Sequence, residues 1–329
     1  MTQFPDKDSF CVKYKSGIPQ VFWIELVADL ETPVSAMLKL TKNKPYSFLL
    51  ESVEGGKVRG RYSVLGFDPD LIWRCFGNRS EIAQVINGTV SGFVPCDKKS
   101  LESLSSLISS SQIDLPEEVP PSAVGLFGYM GYDMVRLMEK IPDSNPDVIG
   151  IPDAIFIRPM VTAVFDNVAD KITLVTPVWP DSNVNENEAY NEAKKRLNKS
   201  ILNLDNIVSG RPLSSMNSPE TLPQPVSNTT REGYHSMVEK AKEYIRSGDI
   251  FQVVPSQRFT LPLKASPMAL YRALRRLNPS PFLFIINMND FSLIGSSPEI
   301  LVRLRDNQIT VRPIAGTRVR GKSIEEDNA

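Results

Sequence analysis

Between residues 44 and 94 short apolar runs alternate with pairs of turn-forming residues, Gly55-Gly56, Gly77-Asn78 and Asn87-Gly88. Segments of this kind, punctuated by such pairs, predict an antiparallel meander of strands. The period then changes. Leu101, Leu104, Leu107 and Ile108 recur at helical spacing, and after a proline-rich break residues 154–158, 161–166 and 171–176 read as three short strands. Tyr190, Ala193, Leu197, Ile201 and Leu204 mark the apolar face of a longer helix, opposite Asn187, Glu192, Lys195 and Asn198. Residues 209–228 turn to Ser, Pro, Asn and Thr, too polar to bury and too rich in proline for a helix. They predict a linker between an N-terminal region, 1–208, and a second region, 229–329.

The second region opens on Thr229-Thr230-Arg231-Glu232, a capping-box pattern, followed by Tyr234, Met237, Val238, Ala241, Tyr244 and Ile245 on one helical face. Gly248 is placed to end that helix in a left-handed cap. An apolar strand is expected over residues 250–254, and a helix begun by Ser266-Pro267 and carried by Leu270, Leu274 and Leu277. Further strands follow, separated by residues 287–290 and by Asp306-Asn307. Helices and antiparallel strands interleave without a regular βαβ rhythm, which favours an α+β fold over a Rossmann-like sheet.

Composition narrows the function classes. The chain has 329 residues, 41% hydrophobic and 23% charged, enough for a large core. Its 37 basic and 38 acidic residues leave a net charge of -1, so no basic field holds nucleic acid or an anionic membrane. Cys11, Cys75 and Cys96 are odd in number and lack C-x-x-C spacing, which predicts a reducing compartment, the cytoplasm. Residues 1–15 lack the apolar run of an export signal, and apolar stretches such as 282–288 are too short to span a bilayer. No G-x-G-x-x-G, Walker lysine loop, H-E-x-x-H or G-x-S-x-G occurs. The single histidine, His235, falls on the polar side of its helix and reads as a solvated surface residue, so acid–base work is left to carboxylates, lysines or tyrosines.

Four separated segments carry a sharper signal. They are Leu49-Leu50-Glu51-Ser52 with Gly60-Arg61-Tyr62-Ser63; the stretch from Asp249 through Gln252 to Phe259; Asn278-Pro279-Ser280-Pro281-Phe282-Leu283; and Gly295-Ser296-Ser297-Pro298-Glu299 with Arg312-Pro313-Ile314-Ala315-Gly316-Thr317-Arg318. Alone, each reads as a turn, a helix stop or a strand end. Together and in this order they resemble the chorismate-utilising enzymes, over about residues 46–327. A fifth match, from Gly125 to Asp133, reads as structural, since close-spaced Gly and Tyr suit tight backbone packing.

The resemblance implies a layered α/β/β/α sandwich of two large, mostly antiparallel sheets, its N-terminal region regulatory and residues 229–329 the first part of a chorismate-binding catalytic domain. It also implies an activity: chorismate and ammonia to anthranilate and pyruvate, the first step of tryptophan biosynthesis, with ammonia delivered by a glutamine amidotransferase subunit in a hetero-oligomer. Glu299 would be the general acid for the departing C4 hydroxyl, its carboxyl held protonated by its surroundings. Gln252 stands where water-adding relatives carry a lysine base, and ammonia needs no such base. Ala315 stands where relatives that aminate at C4, on the folate branch, carry a nucleophilic lysine. Gly316 and Thr317 would meet the chorismate ring. Glu51 and Ser52 would bind the amino and carboxylate groups of inhibitory tryptophan, with Pro281, Phe282 and Leu283 against the indole and the effector bridging two lobes. The family shows Tyr-Met where this chain has Phe282-Leu283, an apolar exchange. By the same resemblance the Mg²⁺ ligands lie past Ala329, so the 329 residues alone are expected neither to hold Mg²⁺ tightly nor to turn over chorismate. Two other readings are the folate-branch enzyme and a non-catalytic tryptophan-binding fragment. Pro255, lacking an amide, predicts a bulge or edge just after Gln252.

Overall fold

The computed structural model of the chain describes residues 2–3, 5–54, 58–207, 223–313, 319, 321–323 and 325–326. Their contacts divide into two compact units, Met1–Arg211 with Pro267–Pro298, and Pro212–Ser266 with Glu299–Ala329. The units are interleaved in sequence, not serial, because residues 267–298 supply a helix and two strands to the first unit's sheet.

Among the described residues that sheet has twelve strands. The main ones are β1 (Gln20–Val27), β2 (Ser47–Glu54), β3 (Val58–Phe76), β4 (Arg79–Ile86), β5 (Phe127–Met130), β6 (Ala154–Asp166), β7 (Lys171–Val178), β8 (Phe282–Asn287) and β9 (Ser292–Ser297). The path runs β1-β7-β6-β3-β2-β8-β9, with β4 beside β3, β5 beside β6, and every neighbouring pair antiparallel. The helices are α1 (Lys7–Lys15), α2 (Pro33–Thr41), α3 (Ser100–Ser110), α4 (Glu186–Leu204), α5 (Arg231–Ser247) and α6 (Pro267–Leu277).

The expected meander is β2-β3-β4. Gly77 (φ 55) follows β3, and Asn87 (φ 52) with Gly88 (φ 78) follows β4, the left-handed backbone that tight hairpins require; the Gly55-Gly56 turn lies outside the described residues. Two of the three strands expected between residues 154 and 176 are in fact one. β6 runs unbroken through Pro159, which pairs with Pro69 of β3 beside the shift in register between Pro69 and Leu71. Neither proline has an N–H, so seating both at one irregularity confines the missing ladder bonds to a single step.

One sheet face is covered by α1, α2, α4 and α6. Phe10, Met37, Leu40, Tyr190, Leu197 and Tyr271 interlock there with Leu49, Leu65, Leu174, Leu283 and Ile285. The phase of α6 differs from the leucine pattern: Tyr271 is fully buried, whereas Leu270 is 43% and Leu277 84% exposed. On the other face α3 packs Leu104 and Leu107 against Leu71 and Trp73. Trp73 is fully buried and its indole N–H donates to Ser103 Oγ at 2.9 Å. Trp73→Phe removes that donor and is expected to cost about 2 kcal/mol, read as a lower urea midpoint.

In the second unit the N-cap of α5 is Thr230, whose hydroxyl accepts from the Gly233 N–H at 3.0 Å, one residue later than the Thr229-x-x-Glu232 box implies, and the helix ends at Gly248 (φ 83) as the sequence predicts. Among its described residues none is buried. The strand expected over residues 250–254 is not formed: Phe251 is 91% and Val254 78% exposed, and no described strand pairs with this segment. An apolar run becomes a strand only when a neighbour takes its backbone bonds. Two short pairs are present, Val226–Ser227 with Phe259–Thr260 and Arg303–Arg305 with Gln308–Thr310. The second turns at Asp306 (φ 50) and Asn307 (φ 58), as expected. Most of the linker read from residues 209–228 lies outside the described residues. The fold is thus mixed α+β on a large antiparallel sheet; the described residues form one such sheet, and the second large sheet of the expected sandwich is not among them.

Candidate functional site

Glu51 and Leu283 are Cα partners across the β2–β8 ladder, so segments more than two hundred residues apart in the chain become adjacent strands. The next positions toward that end of the ladder are Ser52 and Phe282, with Pro281 beyond. All five residues that the family resemblance assigns to effector binding therefore gather at one end of one strand pair, in the first unit.

They do not share a face. Glu51 is on the helix-covered side with Leu49, Leu283 and Tyr271, and is itself buried. Strand alternation directs Ser52 to the opposite side, that of Leu50 and Phe284, at a step where the pairing of β2 with β3 shifts register between Glu51 and Val53. There Ser52 stands against Gly60, where an added Cβ would fall 2.5 Å from the serine Cβ and Oγ, so only glycine lets the two strands approach this closely. Ser52 and Pro281 are half-buried and Phe282 is 39% exposed, whereas Leu283 is core. Ser52, Pro281 and Phe282 thus form the accessible part of the cluster.

The Glu51 carboxylate is fully engaged by α6. Arg275 donates through Nε to Oε2 at 2.7 Å and through a terminal nitrogen to Oε1 at 2.8 Å, and the Tyr271 hydroxyl donates to Oε2 at 2.5 Å. The Glu51 side chain is 4% exposed and that of Arg275 21%. Burial, together with the adjacent Glu51 charge, holds the Tyr271 hydroxyl far above its ordinary pKa, so it stays a donor, and hydrogen bonding to Glu51 raises that of Arg275. Sequence reading missed both partners. The available signal was their spacing: residues 271 and 275 are four apart on a helix and face the same way.

The residues assigned to chemistry lie in the second unit. Glu299 is half-buried, and Gln252 is exposed in the segment that forms no strand. Gly316 and Thr317 lie outside the described residues, as does Ala315. His235 is exposed on α5. Among the described residues no group of three or more His, Cys, Asp or Glu side chains is disposed to hold a metal ion. Three cavities, of about 720, 610 and 510 Å³, are lined by first-unit residues and include none of the assigned positions. No described helix is long and apolar enough to cross a membrane.

Comparison with known proteins bears on this arrangement. A family model described as chorismate binding enzyme matches residues 47–329. Anthranilate synthase component 1 of Cereibacter sphaeroides is 49% identical over 329 residues, all of this chain and 65% of the relative's length. The protein of the same name from Pseudomonas putida is 39% identical over 313 residues, 93% of this chain and 61% of its own length. The chain therefore spans just under two-thirds of the length of these relatives. A crystal structure of anthranilate synthase component I from Streptococcus pneumoniae TIGR4 superposes with a TM-score of 0.57 at 27% identity, covering 77% of this chain and 53% of the other.

Proposed function

The chain belongs to the chorismate binding enzyme family, and from that premise we propose that it acts as the large subunit of an anthranilate-forming enzyme inhibited by tryptophan. The observation that carries the reading is the β2–β8 pairing, which assembles Glu51, Ser52, Pro281, Phe282 and Leu283 from two distant segments at one strand end. Names borne by relatives at 49% and 39% identity support the same reading.

In the proposed reaction ammonia forms a bond to C2 of chorismate as the ring double bonds shift and the C4–O bond breaks. Hydroxide leaves poorly, so the Glu299 carboxyl gives its proton to the departing oxygen, which leaves as water; pyruvate is then eliminated and the ring becomes aromatic. Gln252 is neutral and does not compete for the proton of an activated water, which fits a nucleophile that needs no base. Ala315 has no nucleophilic atom, so amination at C4 through a covalent intermediate is not open to this chain. A glutamine amidotransferase partner, a cytoplasmic location and Mg²⁺ at ligands other than the described residues complete the proposal. Tryptophan would inhibit by favouring one of two states of the protein, for which its affinities differ. The 329 residues by themselves are proposed to be inactive, testable as an absence of anthranilate fluorescence from the purified chain.

The native assembly isolated from its source cells, given chorismate and ammonium, is expected to yield the 2-amino product, identified by fluorescence and chromatography. Glu299→Gln is expected to lower kcat by about 10²- to 10⁴-fold. The 4-amino isomer would move the chain to the folate branch, and tryptophan binding without turnover in that assembly would leave a non-catalytic sensor.

A further inference from the structure

We propose that Arg275 and Tyr271 are positioning residues of the tryptophan site, and that the Glu51 carboxylate is held by them and does not contact the effector. The inference rests on the tryptophan reading above and alters one of its assignments, since resemblance gave Glu51 to the ligand's polar groups.

The first ground is saturation. Both carboxylate oxygens accept from Arg275, and one also accepts from Tyr271. A planar guanidinium in a two-point fork is among the strongest partners a carboxylate finds, and the pair is neutral as a whole. An effector ammonium would have to displace that fork inside the core, on a side chain 4% exposed.

The second ground is direction. Glu51 lies on the helix-covered face of the sheet, whereas strand alternation directs Ser52 to the other face. One small ligand seated against Ser52 and Phe282 does not reach through the strand to the Glu51 carboxylate.

The third ground is what the fork holds in place. α6 ends at Leu277 and the chain passes directly through Asn278, Ser280 and Pro281 into Phe282 of β8. Ser296 of β9 anchors that turn, donating to the Asn278 carbonyl at 2.5 Å and lying 2.8 Å from Ser280 Oγ. The turn is thus fixed on one side by β9, and α6 is fixed to the end of β2 by the Glu51 fork. The distance between Ser52 and the Pro281-Phe282 step follows from both anchors. Loosening the fork shifts the ligand's walls without removing any atom the ligand touches.

The test is calorimetry on the 329-residue chain with two probes, L-tryptophan and indole-3-propionate, which lacks the amino group. The proteins are wild type, Glu51→Gln, Arg275→Met, and the milder Arg275→Lys and Tyr271→Phe, each checked for folding by circular dichroism. A positioning role predicts that Glu51→Gln and Arg275→Met each weaken both probes by a similar factor, about tenfold. The ratio of the two dissociation constants then stays at its wild-type value, and Arg275→Lys falls between. Should Arg275→Met fail to fold, Arg275→Lys and Tyr271→Phe carry the same comparison with smaller shifts. If Glu51→Gln collapses the preference for L-tryptophan over indole-3-propionate, Glu51 meets the ammonium and the proposal is overturned. Wild-type binding that Arg275 and Tyr271 variants leave unchanged overturns the proposal alone, whereas a wild-type chain that binds neither probe overturns the tryptophan reading and the proposal with it.

Discussion

Arg275→Leu is expected to destabilise the first unit by about 3–5 kcal/mol. Glu51 is 4% exposed on its side chain, so removing the guanidinium leaves a carboxylate in the core with the Tyr271 hydroxyl, at 2.5 Å, as the side-chain donor that remains among the described residues. Water cannot replace the lost bonds without opening the packing of Tyr271 against Leu49 and Leu283. Glu51→Leu should cost less, because Arg275 at 21% exposure can turn its head toward solvent. The double change Glu51→Leu with Arg275→Leu is expected to return close to wild type, since an apolar pair removes the desolvated charge along with its partner. Trp23, Trp73 and Trp179 are the chain's three tryptophans and all lie in the first unit, so their fluorescence in a urea titration follows that unit separately from the second. A double variant as unstable as Arg275→Leu would mean that the fork contributes by its shape and not by satisfying a buried charge.

What the sequence made legible was mostly local. The hairpin residues at 77, 87–88 and 306–307 sit where left-handed backbone is needed, and Gly248 ends α5 as read, because these signals depend only on neighbours in the chain. Local rules also erred where a distant partner decides. Pro159 should break a strand, yet Pro69 of β3 meets it and β6 continues. Residues 250–254 have strand chemistry, yet no described neighbour takes their backbone bonds. At the site, resemblance supplied the residues, and only the register of β2 and β8 places Leu283 opposite Glu51. Consecutive strand residues face opposite ways, a local rule that bears on whether Glu51 and Ser52 can meet one ligand's two polar groups. The partners of Glu51 lay hidden because the leucines of α6 set the expected face, whereas the residue that enters the core is Tyr271, carrying Arg275 one turn later.

Gly128→Ala is expected to lower stability by about 3 kcal/mol or more, although residue 128 is not among the residues assigned to chemistry or to the effector. β5 is laid against β6 so closely that a Cβ at position 128 would sit 1.8 Å from the Ile155 carbonyl oxygen and 2.8 Å from the Phe156 Cα. Those are backbone atoms of a thirteen-residue strand, and no rotamer relieves the overlap. β5 must move instead, and it is tied on both sides of Gly128. Phe127 stacks on Phe48 of β2 with centroids 4.3 Å apart, and the Tyr129 hydroxyl donates to the Pro152 carbonyl at 2.5 Å. Burial, helped by Asp153, pushes the Tyr129 hydroxyl up to about 12, so it remains a donor through the neutral range. Displacing β5 breaks these ties together, and the loss should appear as a lower urea midpoint with an unchanged slope. Phe48 also ties this effect to the strand that carries Glu51. A wild-type midpoint in Gly128→Ala would show that β5 and β6 do not approach this closely, and the Gly125 to Asp133 match would then need a role other than packing.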